Sequence, residues 1–180
     1  MKSHLSGVGP ALPGGGLAPW PSFPPRFENM KRHALLIGVN CYDDERITPL
    51  RCAEADAWAL AGAVVESCRF DEVIVLAETP AHGAGDAGPP AGVRHGGRPT
   101  VKNIIDHLRQ LATRLGEDSL FVFGFSGYGV EDNGREEAYL YAADSLADHH
   151  TVNNLPVGML RDLLGRLPTR WQVRCCVSAR

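Results

Sequence analysis

From Lys31 onward, short apolar runs of strand length alternate with longer stretches in which apolar residues recur every three or four positions. Ala34 to Val39 (ALLIGV) is apolar throughout, as a central strand covered on both faces should be, and the polar turn from Asn40 to Glu45 ends it. Leu50 to Val65 then places Leu50, Ala53, Ala57, Leu60, Ala61 and Val64 on one helical face. A second strand is expected over Glu72 to Leu76. Thr100 is a good N-cap for a helix whose inward positions are Ile104, Ile105, Leu108, Leu111 and Leu115, with Gly116 as its C-cap glycine. Ser119 to Phe125 reads as a third strand, Ala138 to Ala142 as a short strand or hairpin, Leu155 to Leu167 as a last helix, and Trp171 to Val177 as the closing segment. The alternation predicts an α/β domain with a mostly parallel sheet.

Two stretches carry no such period. Residues 1 to 29 are dense in Gly and Pro, so a disordered tail is expected there, followed by one domain over residues 30 to 180. Met30, directly before the first structured run, is a candidate translation start. Residues 79 to 98, rich in Gly, Pro and Ala, read as a long surface loop. Ligands of open parallel sheets gather beyond the C-terminal strand ends, which puts Asn40, the Ser126 to Val130 turn and Cys176 on one edge.

Composition narrows the classes. A chain of 180 residues can bury one proper core, and its net charge of -3 comes without long runs of one sign, so neither a nucleic-acid nor a membrane surface is expected. The five cysteines, Cys41, Cys52, Cys68, Cys175 and Cys176, are an odd set without C-x-x-C spacing. That argues against a disulfide framework and a zinc site, and for a reducing, cytoplasmic setting without metal or other cofactor. No apolar run is long enough to span a bilayer, and the N-terminus lacks a signal-peptide pattern.

The segments HALLIGVN, LRCAEADA, FVFGFSGYGVED, AYLYAADS and QVRCCVSA occur in the order and spacing of caspase and metacaspase large (p20-type) subunits, over about Lys31 to Arg180. The chain therefore resembles the C14 family of cysteine peptidases. The resemblance implies a caspase-like three-layer α/β/α fold, here without the C-terminal p10-type part. In that family the third strand ends in Ser-Gly-His-Gly and the fourth in a cysteine followed by one residue and Ser-Gly. Here those stretches read Ser126-Gly127-Tyr128-Gly129 and Cys176-Val177-Ser178-Ala179. Tyr128 lies 176 - 128 = 48 residues before Cys176, against roughly 50 for the caspase histidine.

The substitution matters because the family attacks the peptide with a thiolate while a histidine protonates the departing amine. A phenol, which ordinarily titrates near about pH 10, donates a hydrogen bond but supports a thiolate poorly. By the resemblance, Cys176 stands at the nucleophile position, and the backbone N–H groups of Gly129 and Cys176 at the oxyanion donors. Metacaspases also imply two carboxylates that bind a basic substrate side chain. Asp56 supplies one, whereas Arg174 stands at the other position, two before the cysteine.

Each signal has a plainer reading. Cys176 alone could be an ordinary buried thiol, and Asp56 an exposed helix residue. Strand alternation sends Cys175 to the face opposite Cys176, so Cys175 is expected in the core. His149 and His150, in a polar stretch, are expected in a solvated loop. The G-x-S-x-G pattern fails because Tyr128 occupies its last position. The expectation is a C14-type domain with impaired or absent peptidase activity, binding a peptide or protein substrate or a partner caspase-like chain as scaffold or regulator. A weakly active endopeptidase using Cys176, or a non-functional truncated fragment, are the alternatives.

Overall fold

In the computed structural model, the described residues are 29–79, 89, 91–132, 137–147 and 153–179, with the side chains of 176–179 not described. The expected tail over 1 to 29 falls outside them except for Asn29, and so do His149 and His150. Ten elements follow in chain order: β1 (Arg32–Gly38), α1 (Ala53–Cys68), β2 (Glu72–Leu76), β3 (Val93–Gly97), α2 (Val101–Ala112), β4 (Leu120–Asp132), β5 (Glu137–Tyr141), β6 (Asn154–Pro156), α3 (Val157–Gly165) and β7 (Trp171–Ala179).

Five strands, in the order β3-β2-β1-β4-β7, run parallel, with β1 between β2 and β4. Being inside the sheet, β1 must bury both faces, and its alternation divides the core in two. Ala34 and Leu36 join Ala57, Ala61 and Val64 of α1 on one side. Leu35 and Ile37 join Ile104, Leu108 and Leu111 of α2 and Leu160 and Leu164 of α3 on the other. This is the expected three-layer α/β/α arrangement, with the unbroken apolar run of β1 explained by two cores rather than one.

The expected helices and caps appear with small shifts. The Thr100 side chain accepts from the Asn103 N–H at 3.2 Å, as an N-cap should. Gly116 is not the C-cap: α2 ends at Ala112 with Thr113 as its C-cap, and a further turn intervenes. The final helix begins at Val157, because Asn154–Pro156 is spent as β6, paired antiparallel with β5.

One expectation is overturned. The stretch from 79 to 98 is not loop throughout, since Val93–Gly97 forms β3, parallel to β2. Its glycines hid it from a reading based on apolar alternation, yet Gly96 is what lets it dock. A Cβ there would lie 2.6 Å from Leu76 Cδ2 and 2.8 Å from Ile74 Cγ2. Besides Val93, which joins the α1-side core, polar side chains hold the strand. Asn103 Nδ2 donates to the carbonyls of Gly96 (3.0 Å) and Arg98 (2.9 Å), and His95 Nε2 lies 2.9 Å from the Ala77 carbonyl.

The third predicted strand also runs further than expected, through the Ser-Gly-Tyr-Gly stretch to Asp132. Its first part pairs with β1 and β7, and its last part with β5. Gly96→Ala should destabilise the domain by about 1–3 kcal/mol in urea unfolding, because the added methyl must displace packed side chains. An unchanged midpoint would show that β3 is not held in this register.

Candidate active site

The C-terminal ends of β1, β2, β3, β4 and β7 meet loops rich in polar side chains. The first is the segment after β1. Asn40 Oδ1 accepts from the Glu54 N–H at 3.3 Å and so ties the end of that strand to the first turn of α1. Glu54 is buried, and its carboxylate accepts from the N–H groups of Glu78 (3.3 Å) and Thr79 (3.4 Å) and from Thr79 Oγ1 (2.7 Å). A glutamate in a helix's first turn reads from sequence as a solvated residue favoured by the helix dipole. Nothing in its spacing signals that it pins the exit of β2.

Arg98, just after β3, crosses the same rim. It meets Asp43 through both terminal nitrogens (2.5 and 3.1 Å) and Glu78 through Nε (2.6 Å), linking the loops that follow β1, β2 and β3. The Arg98 guanidinium holds the Asp43 carboxyl below its ordinary value. Arg46 does the same for Asp44, which also accepts from the Ala147 N–H at 2.8 Å.

Tyr128 is placed by β4 and braced by Tyr42. The Tyr128 N–H donates to Tyr42 Oη at 3.3 Å, and that hydroxyl donates in turn to the Val39 carbonyl, also at 3.3 Å. The two rings lie 5.7 Å apart and tilted. Burial pushes the Tyr42 hydroxyl up to about 12, so it stays protonated and can accept and donate at once. Sequence reading missed Tyr42, since a lone tyrosine in a polar turn carries no spacing signal.

Strand register locates the other positions. Tyr128 stands opposite Ala179, while Cys176 stands opposite Phe125, three residues earlier, or about 10 Å back along the strand. The side chain of Cys176 is outside the described residues. Gly129 opens the ladder with β5, opposite Leu140, so β4 changes partner between Tyr128 and Gly129.

Asp56 lies in the first turn of α1, exposed, and Ser126 Oγ donates to its Oδ2 at 3.3 Å. The structure thus brings Asp56 to the end of β4. Arg174, at the second carboxylate position, is exposed and donates to Gln172 Oε1 at 2.9 Å. Cys175 departs from expectation: it is exposed rather than in the core, because β7 is the last strand of the parallel run and pairs only with β4 among the described residues.

A family model for the metacaspase, peptidase C14 domain matches residues 32–179. The chain belongs to the metacaspase family. A crystal structure of a Geobacter sulfurreducens protein shares the fold at a TM-score of 0.55 and 22% identity, covering 83% of this chain and 52% of that one. The chain thus spans about half the length of that protein. No curated protein matches it. Among the described residues, no helix is long and apolar enough to cross a membrane.

Within this metacaspase domain, Tyr42→Phe should remove the hydroxyl to which the Tyr128 N–H donates while keeping the ring. Loss of about 1 kcal/mol of stability and faster amide exchange at Tyr128 are expected. Unchanged exchange at Tyr128 would contradict the brace.

Proposed function

We propose that this metacaspase-family domain is a catalytically impaired cytoplasmic protein that binds peptides or partner caspase-like chains as a scaffold or regulator. The observation that carries this reading is the absence of a free imidazole near Tyr128 among the described residues. His33 sits at the opposite end of β1, with Nδ1 3.3 Å from Glu72. His107 faces the Gly96 carbonyl from α2, with Nε2 at 3.2 Å. His95 reaches the right end of the sheet but bonds the Ala77 carbonyl, on a strand three places from β4, roughly 14 Å away at the usual spacing.

The brace on Tyr128 supports the same reading. Its backbone is tied to the hydroxyl of the half-buried Tyr42, and its ring packs on that residue, so the tyrosine is built into the rim. A phenol so placed can hold shape and offer a hydrogen bond. It cannot alternate between base and acid near neutrality as imidazole does. Asp56, presented toward Ser126, supports a retained surface for recognising a peptide side chain.

Peptide cleavage by the wild type, Cys176→Ala and Tyr128→His proteins tests the proposal. The wild type should stay within about twofold of Cys176→Ala, since loss of one member of a catalytic pair costs several orders of magnitude, on the order of 10³ or more. Turnover by the wild type well above that of Cys176→Ala would overturn impairment and establish a working endopeptidase.

A further inference from the structure

β3 is an edge strand of five residues, paired only with β2 among the described residues. Its register passes from Val75↔His95 to Leu76↔Gly97, which leaves Gly96 as the extra residue of a bulge. Two side chains one turn apart on α2 take the Gly96 carbonyl: Asn103 Nδ2 at 3.0 Å and His107 Nε2 at 3.2 Å. The bulge sits against Ile74 and Leu76 of β2, which share the α2-side core with Ile104, Leu108 and Leu111.

His107 is buried. Because its partner is a carbonyl, Nε2 carries the proton, and the neutral ring leaves Nδ1 as a bare acceptor. Nδ1 is buried and has no hydrogen-bond partner among the described residues. A second proton would create an N–H without an acceptor and a full charge away from water.

The surroundings oppose that charge. Burial holds the ring below its ordinary value, against the favourable Gly96 bond, and the guanidinium groups of Arg94 and Arg114 add to it. Both arginines lie on Glu72 Oε1, at 3.7 and 2.7 Å, while His33 of β1 meets the other oxygen of Glu72 at 3.3 Å. Asp106 pulls the other way, but it is itself paired with Lys102 and Arg109. His95 of β3 packs on the opposite face of the sheet, its ring 6.0 Å from that of Trp58 in α1.

The sign of the pH effect follows. A ring released into water accepts a proton near about pH 6.5, whereas the docked ring refuses it until lower pH. Above that value both states are neutral and the docking contact is fully present. Below it the released state binds the extra proton, so docking weakens as pH falls. Arg98 follows β3 directly and bridges Asp43 and Glu78, so release of the strand also slackens the clamp across the loops after β1 and β2.

We propose that His107 is a pH-sensitive latch: its neutral ring holds the bulge of β3 against α2, and its protonation releases this edge strand together with the Arg98 clamp at the rim. The latch is independent of whether the domain cleaves or binds peptides. It makes the β3 side of the rim the part that loosens first in acid.

Hydrogen exchange of the full chain at pH 7.5 and 5.5, corrected for the intrinsic pH dependence of amide exchange, tests the latch against His107→Gln, which keeps a donor for Gly96 but cannot be protonated. Protection across Val93–Gly97 and at Ala77, whose N–H donates to the Gly97 carbonyl at 3.1 Å, should fall at least threefold and up to about tenfold in the wild type. In His107→Gln it should change less than twofold. The opening should be local, so low urea should speed exchange of β1 while leaving β3 unaffected. Equal pH dependence in both proteins would assign the effect to another group, such as His95 or His33, and overturn the latch. No pH dependence in the wild type, or loss of β3 protection only in step with β1, would overturn it as well. Should His107→Gln fail to fold, the wild-type His107 ring followed by NMR decides: it should titrate below about pH 6.5 in step with β3 release, and titration at or above that value would contradict the proposal.

Discussion

The pairing of β4 with three different strands is the constraint on which the rest of the rim depends. From Leu120 to Ser126 it lies between β1 and β7, it stays parallel to β7 through Tyr128, and from Gly129 it turns to an antiparallel ladder with β5. The parallel part requires apolar side chains on both faces, which Phe121, Phe123 and Phe125 supply on one side and Val122 with Gly124 on the other. The change of partner falls between Tyr128 and Gly129, so these two residues stand where the main sheet stops and the small one begins. The Tyr42 hydroxyl takes the Tyr128 N–H at that point. The same strand turns Gly124 and Ser126 toward α1.

Much of this was legible from residue pattern. The apolar run of β1 announced a doubly covered strand, and of the inward positions expected for α2 the helix buries Ile104, Leu108 and Leu111, while Ile105 is half-buried and the buried His107 was concealed by its polar character. Motif order marked the family. What stayed hidden has a common cause. Glu54, Tyr42 and the side chains holding β3 bond backbone carbonyls and N–H groups that no side-chain pattern reports, and Arg98 meets carboxylates 20 and 55 residues away. Cys175 was misplaced for a related reason: alternation predicts a face, but burial depends on whether another element covers that face. Beside an edge strand, none does among the described residues.

The chemistry turns on one side chain. On the proposed reading, Tyr128 stands in the imidazole position, and a phenol there lacks the capacity to hold a proton and release it near neutral pH. The surrounding architecture does not decay with it: Asn40, Glu54, Arg98 and Tyr42 still tie the strand ends together.

The most direct test is labelling of Cys176 by a peptide-based thiol-reactive probe across pH, comparing wild type with Tyr128→His. The account predicts slow labelling of the wild type at neutral pH, rising only as the thiol itself ionises, and faster labelling of the histidine variant with a profile shifted toward neutrality. Rapid labelling of the wild type at neutral pH, no slower than Tyr128→His, would contradict the claim that Tyr128 is what disables the site.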